Sequence, residues 1–131
     1  MDNKAVVLRF FNEILNSKKL EVIDQIFHPE YVNHGLPIKS KGPKAMKEIT
    51  NMMFSAFPDL RITVEGVIAE GSSTATRGYS VGTHEGEFMG IPPTHKKVTI
   101  PYIDVWEVKD GKLFENWIQM DFVGLMEQLK H

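Results

Sequence analysis

Cysteine is absent from all 131 residues. Disulfide frameworks, thiolate metal sites and thiol nucleophiles are excluded together, and cytoplasm is the expected location because a reducing compartment takes nothing from such a chain. A basic excess is missing as well: 15 Lys and Arg stand against 17 Asp and Glu, a formal net charge of −2. Nucleic-acid binders usually carry a basic face, so no nucleic-acid partner is expected. Apolar runs last only a few residues, far short of the ~20 that cross a bilayer, and the chain opens Asp2-Asn3-Lys4, unlike a signal peptide. No membrane partner is expected. The 5 His include no His-x-x-x-His pair on a predicted helix, which argues against a metal site. Gly82, Gly86 and Gly90 are not followed by Gly-Lys-Ser/Thr, so they make no phosphate loop.

What is present is apolar material: 42% of the residues are hydrophobic, with 8 Phe, 3 Tyr and 2 Trp. That suffices for one domain, residues 1–131, with a core and room for a cavity. Val7, Phe10, Phe11, Ile14 and Leu15 form one helical stripe, with Asp2 placed to cap it. Leu20 to Phe27 continue as a second helix that His28-Pro29 ends, and Tyr31 to Asn33 follow as a short extended piece. Ala45, Met46, Ile49, Met53, Ala56 and Phe57 mark a third helix between Pro43 and Pro58.

The period then changes from helical to alternating. Ile62 to Ile68 and Ala75 to Val81 alternate around a Gly71-Ser72 turn, and Val98 to Val108 pair with Leu113 to Asp121 around Lys109-Asp110-Gly111-Lys112. Helices first and antiparallel strands later predict an α+β fold, with three N-terminal helices packed on one face of a strongly bent antiparallel sheet.

If Val108 pairs with Leu113 and the register runs straight on, Asp104 lies opposite Trp117 and Tyr102 opposite Gln119. One face then carries Tyr102, Asp104, Trp106, Trp117, Gln119 and Asp121, aromatic walls with a few convergent polar groups, as a small-molecule pocket requires. A bulge at the turn would break this parity. The other face, with Ile103, Val105, Phe114, Ile118 and Met120, is too apolar for water and predicts a homodimer through the outer sheet face. Arg77 falls among Val64, Ile68, Ala75 and Tyr79, where it either pairs with Asp104 or Asp121 or snorkels to water. Asn33 and His34, before Gly35, are placed to reach the pocket mouth, and His84 lies in a Gly-rich connection that is a candidate lid.

Several of these residues carry a family likeness. Phe57-Pro58-Asp59-Leu60, the stretch Gly82-Thr83-His84-Glu85-Gly86-Glu87-Phe88-Met89-Gly90-Ile91-Pro92-Pro93-Thr94, the Asp104 strand, the Asp110-Gly111-Lys112 turn and the ending Glu115-x-Trp117-x-x-x-Asp121 resemble the SnoaL-like polyketide cyclases. The resemblance covers nearly the whole chain. It implies the nuclear-transport-factor-2-like fold, a cystatin-like roll in which a cone-shaped curved sheet and three helices enclose a pocket. It also implies aldol-type ring closure on a small hydrophobic carbonyl compound or ester, without metal or cofactor, by an acidic residue on the last strand, best matched here by Asp121. The expected catalytic set is Asp121 with Asp104 and His34. Substrate contacts are expected from Asn33, Arg77, His84, Tyr102, Trp106, Trp117 and Gln119. The alternative is a non-catalytic protein that binds a small hydrophobic molecule in the same cavity.

Overall fold

The computed structural model describes residues 2–130. Helix α1, Asn3–Arg9, starts where the Asp2 carboxylate accepts the Ala5 N–H at 2.7 Å, one of the four donors a helix start leaves unpaired. The helical rod then widens into a π-helical segment, Phe10–Asn16, which buries Phe10, Phe11 and Ile14. After a 3-10 turn at Leu20–Val22 comes the short helix α2, Ile23–Ile26. Strand β1, Phe27–Asn33, begins earlier than the periodicity indicates and runs through Pro29. A proline has no N–H to give a ladder, and β1 tolerates it because it lies at the sheet edge. Helix α3, Pro43–Ala56, is bounded as expected and buries Ala45, Met46, Ile49, Met53 and Ala56.

Strands β2 (Arg61–Glu70), β3 (Ser73–Thr83), β4 (Lys97–Lys109) and β5 (Lys112–Met120) form an antiparallel sheet, and α4 (Phe122–Lys130) follows. Strand β1 joins it in parallel beside β5, giving the order β1-β5-β4-β3-β2. Asp110 (φ 55°) and Gly111 (φ 73°) make the two-residue turn with both central φ positive, whose twist matches that of the strands it joins. The fold is the expected α+β class, with helices covering the concave face of a curved sheet. Trp106, 1% exposed, sits at the centre of the core, 4.9 Å from the Phe10 ring and stacked on Tyr31 at 6.4 Å.

Two β-bulges decide which side chains face inward. In the β4–β5 pair, Val108 lies opposite Leu113, as the turn predicts, but Glu107 lies opposite Glu115, so Phe114 is an extra residue. From there Asp104 faces Ile118, and Tyr102 faces Met120. The face drawn from straight pairing is therefore split. Its β4 half, with Tyr102, Asp104 and Trp106, is buried, whereas Trp117, Gln119 and Asp121 are exposed. A second register shift lies between Val64 and Gly66 in the β2–β3 pair. It puts Val64 and Ile68 on opposite faces, while β3 itself pairs with β4 without a break, Thr76 opposite Asp104, so that Thr74, Thr76, Gly78 and Ser80 face inward and Arg77 stays outside with Ile103. Arg77 pairs with neither Asp104 nor Asp121; its guanidinium lies 3.8 Å from Glu65, both well exposed.

Candidate active site

The helices and the concave sheet face enclose a cavity of about 70 Å³, counted as space open to the centres of water-sized molecules. Phe10, Phe11 and Leu15 of the π-helical segment, Met46, Ile49 and Met53 of α3, and Ile118 and Met120 of β5 supply most of its wall. Asn33, Thr50, Ser80, Tyr102, Asp104 and Asn116 are its polar lining. Asp104 is the one carboxyl among the lining residues, and no Lys, Arg or His is among them.

Asp104 is 1% exposed and is held by two side-chain donors. Thr76 Oγ1 donates to Oδ1 at 2.5 Å, and Trp106 Nε1 donates to Oδ2 at 2.9 Å. Burial raises the carboxyl to about 6, with the Thr76 and Trp106 hydrogen bonds acting in the opposite direction. Tyr102, two residues earlier on the same face of β4, places its hydroxyl 3.1 Å from Thr76 Oγ1, and burial pushes its phenol up to about 12. A second polar cluster adjoins the first. Tyr31 Oη donates to Asn116 Oδ1 at 2.5 Å, and Asn33 Nδ2 lies 3.1 Å from both Tyr31 Oη and Asn116 Oδ1. Asn33 Oδ1 in turn accepts the Gly35 and Leu36 N–H groups at 2.9 Å, which fixes the start of the loop after β1.

The cavity thus brings together four of the ten residues expected from the sequence: Asp104, Tyr102, Trp106 and Asn33. Asp121 lies elsewhere. It is exposed, and its Oδ1 accepts the Gly124 N–H at 2.8 Å as the cap of α4. His34 and Trp117 stack on the outside of the sheet with ring centroids 4.9 Å apart, and His34 Nε2 lies 2.8 Å from Glu115. Gln119 is exposed beside them. His84 is fully buried and is not among the cavity-lining residues. Its Nδ1 accepts the Thr94 N–H at 3.2 Å, and its backbone bonds Lys96 and His95, so it ties the two ends of the Gly-rich connection together. Backbone bonds from Glu85 and Gly86 to Ala56 anchor the same segment to the end of α3, away from the cavity lining, which does not suit a lid.

Thr76, Asn116, Tyr31 and Ser80 were not singled out in the sequence. Their only local signal is the run of small hydroxyl residues Thr74, Thr76 and Ser80 on one face of β3, which straight alternation reads as a solvated face.

Comparison with known proteins places this geometry in a family. The family model for the SnoaL-like polyketide cyclase matches residues 5–129. The chain belongs to the SnoaL-like polyketide cyclases. Among curated relatives it is 27% identical to a nogalonic acid methyl ester cyclase of Streptomyces nogalater, over 87% of each chain. Among solved structures it superposes on TsrD of Streptomyces laurentii with a TM-score of 0.87 at 25% identity, covering 96% of this chain and 92% of that one. IdmH of Streptomyces antibioticus gives 0.86 at 26% identity over the full length of both. In this SnoaL-like chain Asp59 of the Phe57-Pro58-Asp59-Leu60 run is structural: its carboxylate receives the N–H and the hydroxyl of Thr83, each at 2.7 Å, joining the turn after α3 to the end of β3.

Proposed function

We propose that the protein is an acid/base enzyme of the cyclase type, in which Asp104 takes a proton from an activated carbon of a neutral carbonyl compound or ester held in the cavity. The observation that supports this most is the placement of one carboxyl, raised to about 6, as the one charged group in a mostly apolar chamber. A base with an affinity near the working pH is ionised enough to accept a proton and acidic enough to return it. Aldol closure is redox-neutral, so a proton acceptor and a donor suffice for it. Substrate neutrality follows from the lining: an anionic substrate would meet Asp104 with no Lys, Arg or His beside it. The cavity, about 70 Å³ open to the centres of water-sized molecules, is partly open, and a larger ligand would extend past the partly buried lining residues Leu36, Ile62 and Ile118.

The test uses nogalonic acid methyl ester, the compound in the name of the S. nogalater relative, and follows ring closure together with deuterium uptake at the activated carbon in D2O. Both are expected with the wild type. Binding without either would leave the protein a carrier and overturn the reading.

Asp121 serves as the internal control. Asp121→Ala is expected to cost about 1 kcal/mol of stability, as lost helix caps do, with turnover within twofold of wild type. A hundredfold loss of turnover in a folded Asp121→Ala protein would return the chemistry to that residue.

The reading includes a second copy of the chain on the outer sheet face, where Ile68, Ile103 and Trp117 are 73%, 61% and 43% exposed. Ile118 and Met120, counted there by straight pairing, face the cavity instead. Sedimentation equilibrium is expected to give twice the 14.9 kDa chain mass, and a monomer at high concentration removes the dimer.

A further inference from the structure

The cavity holds a chain of hydroxyls whose donor order is fixed. Thr76 has one hydroxyl proton and gives it to Asp104 Oδ1, so at the 3.1 Å contact the Tyr102 hydroxyl is the donor and Thr76 Oγ1 the acceptor. Trp106 Nε1–H, which can only donate, occupies Oδ2 and pins the carboxylate plane. The ionised carboxylate therefore sits at the end of a line running from Tyr102 through Thr76. All three residues are buried, and both ends of the line, Tyr102 and Asp104, line the cavity.

We infer that Tyr102 is the group that returns the proton to the substrate, supplied by Asp104 through Thr76, so that abstraction and return occur at two separate positions in the cavity. This rests on Asp104 being the base. The carbon–hydrogen bond breaks as its proton passes to Asp104 and its electron pair remains on carbon as an enolate. That carbon bonds to the acceptor carbonyl carbon, whose π electrons move to oxygen and give an alkoxide. Once Asp104 is protonated, the hydroxyls rotate: the carboxyl O–H points to Thr76 Oγ1, the Thr76 O–H to Tyr102, and the Tyr102 O–H to the alkoxide. Tyr102 then protonates the alkoxide, Thr76 refills Tyr102, and Asp104 refills Thr76. Every residue ends as it began and no external proton is needed. One carboxyl thereby serves two substrate atoms farther apart than it could touch at once.

The line has its own signature in the kinetics. Tyr102→Phe and Thr76→Val leave Asp104 able to take the proton but remove its return. With nogalonic acid methyl ester in D2O, both variants are expected to keep deuterium uptake at the activated carbon within about threefold of wild type while ring closure falls about a hundredfold. Thr76→Ser, which keeps the hydroxyl, is expected to restore closure, whereas Asp104→Asn loses both. A merely structural role for Tyr102, which packs against the Phe11 ring at 5.8 Å, would lower uptake and closure together, and that parallel fall overturns the inference. Unchanged closure overturns it too, while leaving Asp104 as the base.

If the wild type neither exchanges nor closes this compound, the functional reading fails, and the line is judged separately by carbon-13 titration of the Asp104 carboxyl. The other titratable groups facing Asp104 are Tyr31 and Tyr102, both held protonated by burial through this range. Thr76→Val is expected to raise the Asp104 midpoint and Tyr102→Phe to raise it less, with the double variant titrating like Thr76→Val alone. Additive shifts would mean that Tyr102 acts on Asp104 without Thr76, and the line would fall.

Discussion

Asp104→Asn is expected to lower turnover by about 10²–10⁴-fold and, at the same time, to make the protein more stable at pH 7. The first effect is the loss of the proton acceptor. The second follows from burial, which raises the folded carboxyl to about 6 against an unfolded value of about 3.9. Between those two values the folded chain holds a proton that the unfolded chain has released. Stability therefore falls as pH rises from about 4 to about 6 and is level above, a loss of about 3 kcal/mol by pH 7. Asparagine has no charge to strip of water and so lacks this slope. Its amide can donate to Thr76 Oγ1 while its carbonyl accepts Trp106 Nε1–H, so the buried partners stay paired. Thermal melts of both proteins across pH 4–8 check the claim: the curves should converge near pH 4 and separate by several degrees at pH 7, the variant higher. A variant that melts lower at pH 7, or turns over within threefold of wild type, overturns the assignment of Asp104.

The largest loss of stability is expected at Gly78. A Cβ at this position would lie 1.9 Å from the Thr63 carbonyl oxygen and 3.1 Å from the Tyr102 ring. The first obstacle is backbone and cannot rotate aside, so β2 and β3 would have to part beside the β2 bulge. Gly78→Ala is expected to cost about 3 kcal/mol, roughly 10 °C in Tm for a chain of this length, with turnover reduced through the displaced Tyr102. Gly71→Ala supplies the comparison. Nothing lies within 4 Å of a Cβ there, but its φ of 60° makes any side chain slightly unfavourable, a cost of about 1 kcal/mol. Differential scanning calorimetry of the two variants should rank them in that order, and a Gly78→Ala melt within 2 °C of wild type would refute the close approach.

Much of this fold was legible in the sequence because its signals are local. The stripe from Val7 to Leu15, the Pro43 and Pro58 boundaries and the Asp110-Gly111 turn each act within a few residues. The β4 half of the site was legible for the same reason, since Tyr102, Asp104 and Trp106 share a face by simple alternation. The β5 half was not. Phe114 and Glu65, at the two bulges, are ordinary strand residues, and nothing near them in the chain announces an unpaired position. Beyond the β5 bulge every inward assignment is reversed, which is why Trp117, Gln119 and Asp121 read as pocket and Asn116 as surface; Thr76 read as surface because it sits in a run of small hydroxyl residues, although its unbroken pairing with Asp104 sets it inside. The partners that make the latter two tolerable inside are also distant: Thr76 is 28 residues from Asp104, and Asn116 is 85 from Tyr31. A small polar residue looks solvated until its remote partner is placed.

The β5 bulge has a consequence for how such cavities change over descent. Deleting Phe114 alone would leave Leu113 opposite Val108, Glu115 opposite Glu107 and every later β5 residue in its present register, because Phe114 is the residue without a partner. Loss of that one codon would thus straighten the hairpin while Asn116 and Ile118, like Asp104 and Tyr102 on the neighbouring strand, kept their places inside. Among relatives with this roll, the length of the last hairpin can therefore vary by this residue without changing which side chains line the cavity.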